Sequence, residues 1–245
     1  MTRNQFLTPL MTRNQKPVLI SFSGIDGAGK STQIGRLRKR LEDSGAKVLM
    51  LAFWDNVVFL PRFRAGVSHR VLGGEIGVGS PGKPVRRNDK NERRWYLSLA
   101  RCALYLSDVI NLRRVVARAK LSDADIIIFD RYIYDQLANA PTNWLGRAYV
   151  RFLLKLAPKP AIGYLLDADP EAALKRKPEY PLDFLRRYRK AYFDLCAFSS
   201  EIATIPPGSI EAVENKIAQL LASRCGVHEA RSVSSEETNV ERLQA

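Results

Sequence analysis

The chain has 245 residues, of which 46% are hydrophobic and 26% charged, and this composition fits a globular protein with one substantial core. It has no apolar run near the ~20 residues of a membrane span, and its three cysteines are widely separated, so we expect a cytoplasmic protein without a disulfide framework or zinc site. The net charge of +14 predicts a polyanionic partner, either a nucleic acid or a small molecule such as a nucleotide.

Short apolar runs alternate with helical patterns along the chain, as in a parallel sheet with crossover helices. Residues 1–15, in which MTRNQ occurs twice, are expected to form a flexible leader, with a start at Met1 or Met11. We predict strands over 18–23, 47–52, 125–129, 161–166 and 203–205, and helices over 31–44 and 95–120. Residues 73–94, rich in Gly, Pro and charge, predict a mobile loop, and 225–245 a disordered polar tail. One α/β domain over 16–224 is therefore expected.

A glycine-rich segment joins the first predicted strand to the first predicted helix and matches the pattern G-x-x-x-x-G-K-[ST]. In such a loop the backbone N–H groups and the helix N-terminus bind phosphate, the lysine reaches the β- and γ-phosphates, and the hydroxyl ligates Mg²⁺. The sequence therefore predicts ATP and Mg²⁺ as cofactors, with Ser31 as a metal ligand. The predicted ATP-binding residues are Gly24, Ile25, Asp26, Gly27, Ala28, Gly29, Lys30, Ser31 and Thr32.

A second polar group follows the third predicted strand, where Asp130 and Arg131 come directly after four apolar residues. Ligands of parallel α/β sheets bind at the carboxyl ends of the strands, so both side chains are expected at the site. The Asp130 carboxylate is a candidate Mg²⁺ ligand, and Arg131 is a candidate for neutralising a phosphate group.

Three segments together resemble the thymidylate kinase family: residues 22–32 (FSGIDGAGKST), the triplet Asp130-Arg131-Tyr132, and the run from Tyr164 to Leu195. The resemblance covers residues 16–222. It implies an α/β, three-layer P-loop NTPase fold, with a five-stranded parallel sheet flanked by helices and a short basic lid. It also implies transfer of the ATP γ-phosphoryl group to a nucleoside monophosphate, with dTMP + ATP giving dTDP + ADP as the first expectation.

The resemblance also assigns roles by motif position. Asp26 would face the acceptor, while Asp130 and Arg131 would lie between the two phosphate groups. The phosphate loop contains no arginine, so the lid must supply one, and Arg176 stands where it is expected, in a segment (175–190) with seven basic and two acidic residues. The catalytic candidates are Lys30, Asp130, Arg131, Arg176 and Asp26, and the acceptor-binding candidates are Asp26, Arg62, Arg101 and Arg131.

The acceptor half of the chain departs from the family pattern. After the triplet the family has S-x-x-A-Y-Q, whereas this chain has Asp135 for the serine and Asn139-Ala140 for the Tyr-Gln pair. Two alternatives therefore stay open: a related phosphotransferase with a sugar or lipid-linked acceptor, and a nucleotide-dependent nucleic-acid-binding protein. Because much of the basic excess lies near the predicted phosphate site, we expect nucleotide substrates rather than nucleic acid or a membrane. The 95–120 helix is a candidate homodimer interface.

Overall fold

The computed structural model describes residues 16–58, 95–140 and 143–224, with only the backbone described for 95–99. Five strands form one parallel sheet: β1 (Val18–Ser23), β2 (Val48–Ala52), β3 (Ile126–Asp130), β4 (Ile162–Leu166) and β5 (Ile202–Ile205). Their spatial order is β2-β3-β1-β4-β5, so the first strand lies at the centre. The prediction of an α/β fold with a five-stranded parallel sheet is confirmed.

The helices of the described segments connect these strands. In chain order they are α1 (Lys30–Asp43), α2 (Trp95–Ala119), α3 (Ile133–Leu137), α4 (Trp144–Leu156), α5 (Pro170–Arg176), α6 (Leu182–Cys196) and α7 (Ile210–Arg224). A single π-helical turn, Phe53–Val57, follows β2. Among the described residues no helix combines the length and the apolar character that a membrane crossing requires.

Both faces of the sheet are covered by helices, because the strands are apolar on both sides. On one face Leu19 and Phe129 pack in a core that includes α2 and α6. On the other face Ile20 and Ile128 pack against α1 and α7. The central strand is therefore buried along nearly its whole length, and polar side chains of the strands collect at the carboxyl edge.

Several predicted boundaries shift by one residue, and two of these shifts place site residues. The third strand ends at Asp130 rather than Phe129, and Asp130 pairs in register with Phe22 of β1 and Ala52 of β2. The first helix begins at Lys30 rather than Ser31, since Gly29 takes a left-handed conformation and its carbonyl accepts the first helical hydrogen bond, from Gln33. The strand thus presents the Asp130 carboxylate at the sheet edge, and Lys30 opens the helix.

Candidate active site

The loop between β1 and α1 wraps around the amino group of Lys30. The Lys30 side chain is 7% exposed, and its Nζ donates hydrogen bonds to the carbonyl oxygens of Gly24 (2.8 Å) and Ile25 (2.9 Å). Burial is the largest influence on this ammonium group and the positive charge of Arg131 is the next, so the pKa of Lys30 falls to about 8. A buried cation at a helix N-terminus makes this loop an anion-binding site.

Two glycines of the loop lie directly against the backbone of other elements. A Cβ atom on Gly24 would stand 2.5 Å from the carbonyl oxygen of Leu166 at the end of β4. A Cβ atom on Gly27 would overlap the backbone of Ala173 in α5. Both glycines also have positive φ angles, 143° and 83°, which other residues rarely adopt. The loop is therefore packed between the sheet edge and the helix that leads into the basic segment.

Arg131 forms ion pairs with two carboxylates, one from the phosphate loop and one from α3. Its Nη2 pairs with Asp26, and its Nη1 lies 2.8 Å from Oδ1 of Asp135. Burial by itself would lower the pKa of Arg131, but the two carboxylates outweigh it and the pKa is raised. Burial would likewise raise the pKa of Asp26, and here Arg131, Lys30 and Lys177 outweigh it, so that the pKa is lowered. Both groups are thus held in their charged forms.

Asp135 is the hub of this network. Its side chain is 0% exposed, and besides Arg131 it accepts hydrogen bonds from Ser23 Oγ (2.7 Å), the Tyr192 hydroxyl (2.7 Å) and the Tyr132 backbone N–H (3.3 Å). Four donors therefore converge on one carboxylate, and they come from β1, α6 and the turn after β3. Sequence reasoning noted this aspartate only as a departure from a family pattern. No local signal points to its partner Ser23, which lies 112 residues away in the chain.

The basic segment (175–190) is reached through α5, and Asp169 caps the N-terminus of this helix. Arg176, the last residue of α5, is exposed, and its Nε donates to the Ala172 carbonyl at 3.2 Å. Further along, Arg189 of α6 forms a two-point ion pair with Asp167 at the end of β4, at 2.6 and 2.7 Å. The Arg189–Asp167 pair fixes α6 to the sheet edge, while Arg176 is bonded only within its own helix in the described structure and remains exposed.

A cavity of about 750 Å³ lies at the carboxyl edge of the sheet, between the phosphate loop, the triplet after β3 and the end of α5. All five predicted catalytic residues line it, and so do the predicted loop residues from Asp26 to Thr32. The complete lining consists of Asp26, Gly27, Ala28, Gly29, Lys30, Ser31, Thr32, Gln33, Asp130, Arg131, Arg176, Lys177, Gly208, Ile210 and Val213. Its size is that of a site for a nucleotide-sized ligand.

Three other predicted site residues lie away from the cavity lining. Gly24 and Ile25 do not line it, and instead offer their carbonyl oxygens to Lys30. Arg101 lies on α2, half-buried, and is not among the lining residues. Arg62 lies outside the described residues, as do the predicted mobile loop 73–94, the leader and the tail.

One wall of the cavity was not predicted. Gly208, Ile210 and Val213, from the loop after β5 and the start of α7, also line the cavity. The signal that could have found them is the turn sequence Pro206-Pro207-Gly208-Ser209 directly after the last predicted strand, since such loops lie at the carboxyl edge of the sheet. This wall is apolar and suits the flat face of a ring.

The residues present also fit the predicted Mg²⁺ ion. Within the described segments no group of three or more His, Cys, Asp or Glu side chains could hold a metal by themselves. Ser31 and Asp130 nevertheless line the same cavity and offer a hydroxyl and a carboxylate oxygen. Magnesium is commonly bound by one or two protein oxygens together with substrate phosphates, so this sparse donor set suits an ion that arrives with a nucleotide.

Comparison with known proteins identifies the family to which this chain belongs. The family model described as Thymidylate kinase matches residues 82–217, which is more than half of the chain. The chain belongs to the thymidylate kinase family. The "Thymidylate kinase" of Bifidobacterium longum subsp. infantis is 30% identical over 191 residues, covering 74% of each chain.

Archaeal relatives cover more of the sequence at lower identity. The "Probable thymidylate kinase" of Archaeoglobus fulgidus is 26% identical over 215 residues, covering 84% of this chain and 95% of its own. That of Methanocaldococcus jannaschii is 27% identical over 205 residues, covering 82% and 93%. The expected family is thus confirmed, and with it the expectation of a phosphotransferase of the nucleoside monophosphate kinase type.

Proposed function

We propose that this thymidylate kinase family member transfers the γ-phosphoryl group of ATP to dTMP, giving dTDP and ADP. The observation that carries the proposal is the convergence of Lys30, Asp130, Arg131 and Arg176 on one cavity beside the phosphate loop. The relatives' names supply the acceptor, since those described above are named as thymidylate kinases or probable ones. A nucleic-acid-binding role is not favoured, because four basic residues, Lys30, Arg131, Arg176 and Lys177, line a cavity of a size for a small ligand.

On the donor side, ATP is proposed to bind along the loop from residue 24 to 32. Loop N–H groups and the N-terminus of α1 bind the phosphates, and Lys30 reaches the β- and γ-phosphoryl oxygens. Ser31 and Asp130 are the proposed protein ligands of Mg²⁺, which supplies charge neutralisation of the β- and γ-oxygens when it is bound. The apolar wall at Ile210 and Val213 is proposed to contact the adenine ring, because these two side chains are apolar and line the same cavity as the phosphate loop.

In the transfer step, this chain's own task is to neutralise charge that spreads over the moving phosphoryl group. Arg131 is proposed to act there, since its guanidinium lies beside the phosphate loop and is held in its charged form by two carboxylates. Arg176, with no arginine available in the loop, is proposed to approach from α5. Its head group is exposed at the cavity, so closure of the basic segment over the nucleotide would bring it in and exclude water.

On the acceptor side, Asp26, Arg131, Arg101 and Arg62 are the proposed contacts of the nucleoside monophosphate. Asp26 and Arg131 are already joined as an ion pair at the cavity. Asn139, which stands where the family pattern has tyrosine, donates to the Asp135 carbonyl (2.9 Å) and to the Tyr188 hydroxyl (3.3 Å). Its amide group is thus engaged with α3 and α6, and base recognition is assigned to other residues.

The test is ADP formation from MgATP with a panel of acceptors: dTMP, dUMP, UMP, CMP, AMP and sugar phosphates. We expect dTMP to give the largest kcat/KM, and the Lys30→Ala variant to give no acceptor-dependent ADP. A sugar phosphate as the best acceptor would overturn the assignment of dTMP while leaving the donor side intact. ADP formation that no acceptor accelerates would overturn kinase activity on small acceptors altogether.

The expected homodimer, cytoplasmic location and domain limits are further proposals. Support for a dimer comes from the length of α2, 25 residues, and from its exposed Ile110. Light scattering coupled to size exclusion gives the mass in solution, and a value near the 27.6 kDa of one chain would exclude the dimer. Limited proteolysis that trims the chain to residues 16–224 would support the proposed leader and tail.

A further inference from the structure

A buried aspartate stands behind the arginine that the proposed function places between the two substrates. Asp135 lies in α3, with its side chain fully removed from solvent, and four donors surround its two oxygens. Ser23 and the Tyr132 N–H donate to Oδ2, whereas Arg131 and Tyr192 donate to Oδ1. A carboxylate can accept all four bonds at once, which the single hydroxyl of the serine in the family pattern cannot. Asp135 therefore joins β1, α6 and the turn after β3 through more hydrogen bonds than a serine could make.

The two carboxylates that share Arg131 differ in how firmly they are fixed. Asp26 belongs to the phosphate loop, lines the cavity and is 12% exposed. Asp135 belongs to a helix, is fully buried and is held by three further donors. A substrate that enters the cavity can take the Asp26 carboxylate away from the guanidinium, but it cannot reach Asp135. The ion pair between Asp135 and Arg131 can thus stay in place when a substrate binds.

The backbone of Arg131 needs such support. Its φ angle is 65°, in the left-handed region that residues other than glycine rarely adopt, and its N–H donates to the Phe22 carbonyl of β1 at 2.9 Å. This conformation aims the side chain back across the sheet edge, where both carboxylates meet it. A strained residue of this kind persists because its surroundings fix it, and Asp135 is the buried part of those surroundings.

We propose that Asp135 is a positioning residue for phosphoryl transfer, which holds the Arg131 guanidinium at the cavity in a fixed orientation when Asp26 turns to the substrate. The proposal rests on the proposed kinase function. In the family pattern a serine occupies this position, and we attribute the aspartate of this chain to a tighter hold on Arg131. Asp135 itself touches neither substrate in this account.

The first test replaces Asp135 with asparagine, which keeps the shape and removes the charge. Arg131 donates to Oδ1 and the Tyr132 N–H to Oδ2, so the single oxygen of asparagine cannot accept from both. With the oxygen turned to Arg131, the amide group faces Ser23, whose hydroxyl can accept, and the Tyr132 N–H loses its acceptor. We expect Asp135→Asn to fold and to lower kcat about 10²-fold, the cost of a misplaced catalytic group.

The deciding experiment is a double-mutant cycle with Arg131→Ala. If Asp135 acts through Arg131, then Asp135→Asn lowers kcat less than about threefold once Arg131 is absent, because coupled residues are not additive. A loss of about 10²-fold in both backgrounds would overturn the proposal. The control is Tyr164→Phe, which removes a buried hydrogen bond (3.0 Å, to the Ile217 carbonyl) on the other face of the sheet. It should lower the melting temperature without lowering kcat.

A second variant keeps the proposal testable if Asp135→Asn does not fold. Tyr192→Phe removes one donor to Oδ1 and leaves the carboxylate in place. We expect a loss of three- to tenfold in kcat, absent in the Arg131→Ala background, and an equal loss there would count against the proposal. The acceptor panel separates the proposed function from the inference about Asp135. The double-mutant cycle is run with the best acceptor that the panel identifies. If that acceptor is not dTMP, the proposed function is overturned while the inference about Asp135 still stands.

Discussion

Gly27 should tolerate no side chain, and three glycines with nearly equal φ angles allow the free-energy cost of replacing it to be divided into a conformational part and a packing part. Gly27, Gly29 and Gly45 have φ angles of 83°, 87° and 90°. A Cβ on Gly29 or Gly45 would meet nothing within 4 Å, whereas a Cβ on Gly27 would lie 3.0 Å from Ala173 Cα and closer still to the Ala173 carbonyl oxygen. Alanine at each position therefore bears the same conformational cost, but only Gly27→Ala adds a collision.

The magnitudes follow from these contacts. A left-handed alanine costs ~1–2 kcal/mol, and the stiffer unfolded chain returns ~0.4–1 kcal/mol, so Gly45→Ala should lose about 1 kcal/mol of unfolding free energy. Overpacking adds ~1–3 kcal/mol, so Gly27→Ala should lose about 2–4 kcal/mol unless α5 moves away. Whether α5 stays in place or moves away, the helix that leads to Arg176 is disturbed, so the kcat of Gly27→Ala should fall. Gly45→Ala should leave kcat unchanged.

Urea unfolding followed by circular dichroism measures the free energies, and initial rates of ADP formation measure kcat. Gly29→Ala gives the conformational cost within the loop itself, without the contact to α5. The reasoning is refuted if Gly27→Ala and Gly45→Ala lose the same free energy of unfolding. It is also refuted if Gly27→Ala is more destabilised yet retains the kcat of the natural chain, because α5 would then not be coupled to the loop.

Two further predictions concern the cations of the cavity. Since the pKa of Lys30 is lowered to about 8, the amino group loses its proton as the pH rises through that value. The kcat/KM for ATP should therefore stay level below about pH 7 and fall about tenfold per pH unit above about pH 9; a level profile to pH 10 would contradict this. Arg176→Ala should lower kcat by about 10³-fold or more, while Lys175→Ala, exposed one residue earlier and not lining the cavity, should change it less than about threefold. A change confined to KM would mean that Arg176 binds nucleotide without acting in the transfer.

The fold and the donor half of the site could be predicted from local patterns. Apolar runs bounded by turn residues mark the strands, and the spacing of glycines and Lys30 in the phosphate loop is a short-range signal. Asp130 was expected at the carboxyl end of a strand, and the strand extends to include it. These features depend on neighbours within about ten residues, which a single sequence displays directly.

The rest of the site depends on contacts between distant segments. Nothing near Asp135 reveals that Ser23, Arg131 and Tyr192 share its carboxylate, because β1 and α6 approach it only in the folded sheet. The wall formed by Ile210 and Val213 is likewise made by the return of the chain after β5. Arg101, chosen from a family pattern, does not line the cavity, and pattern position alone could not show which side of α2 faces it.

The two hydrogen bonds from Lys30 to the loop carbonyls have a thermodynamic consequence for nucleotide binding. The ammonium group has three N–H donors and the two carbonyls accept from two of them, so a first phosphate oxygen can accept from the third without displacing anything. A second phosphate oxygen must displace a carbonyl. Because hydrogen bonds to charged groups are worth ~1.5–3 kcal/mol each, the bond given up then offsets much of the bond gained. Lys30 should therefore add less to the affinity for ATP than the number of its phosphate contacts suggests.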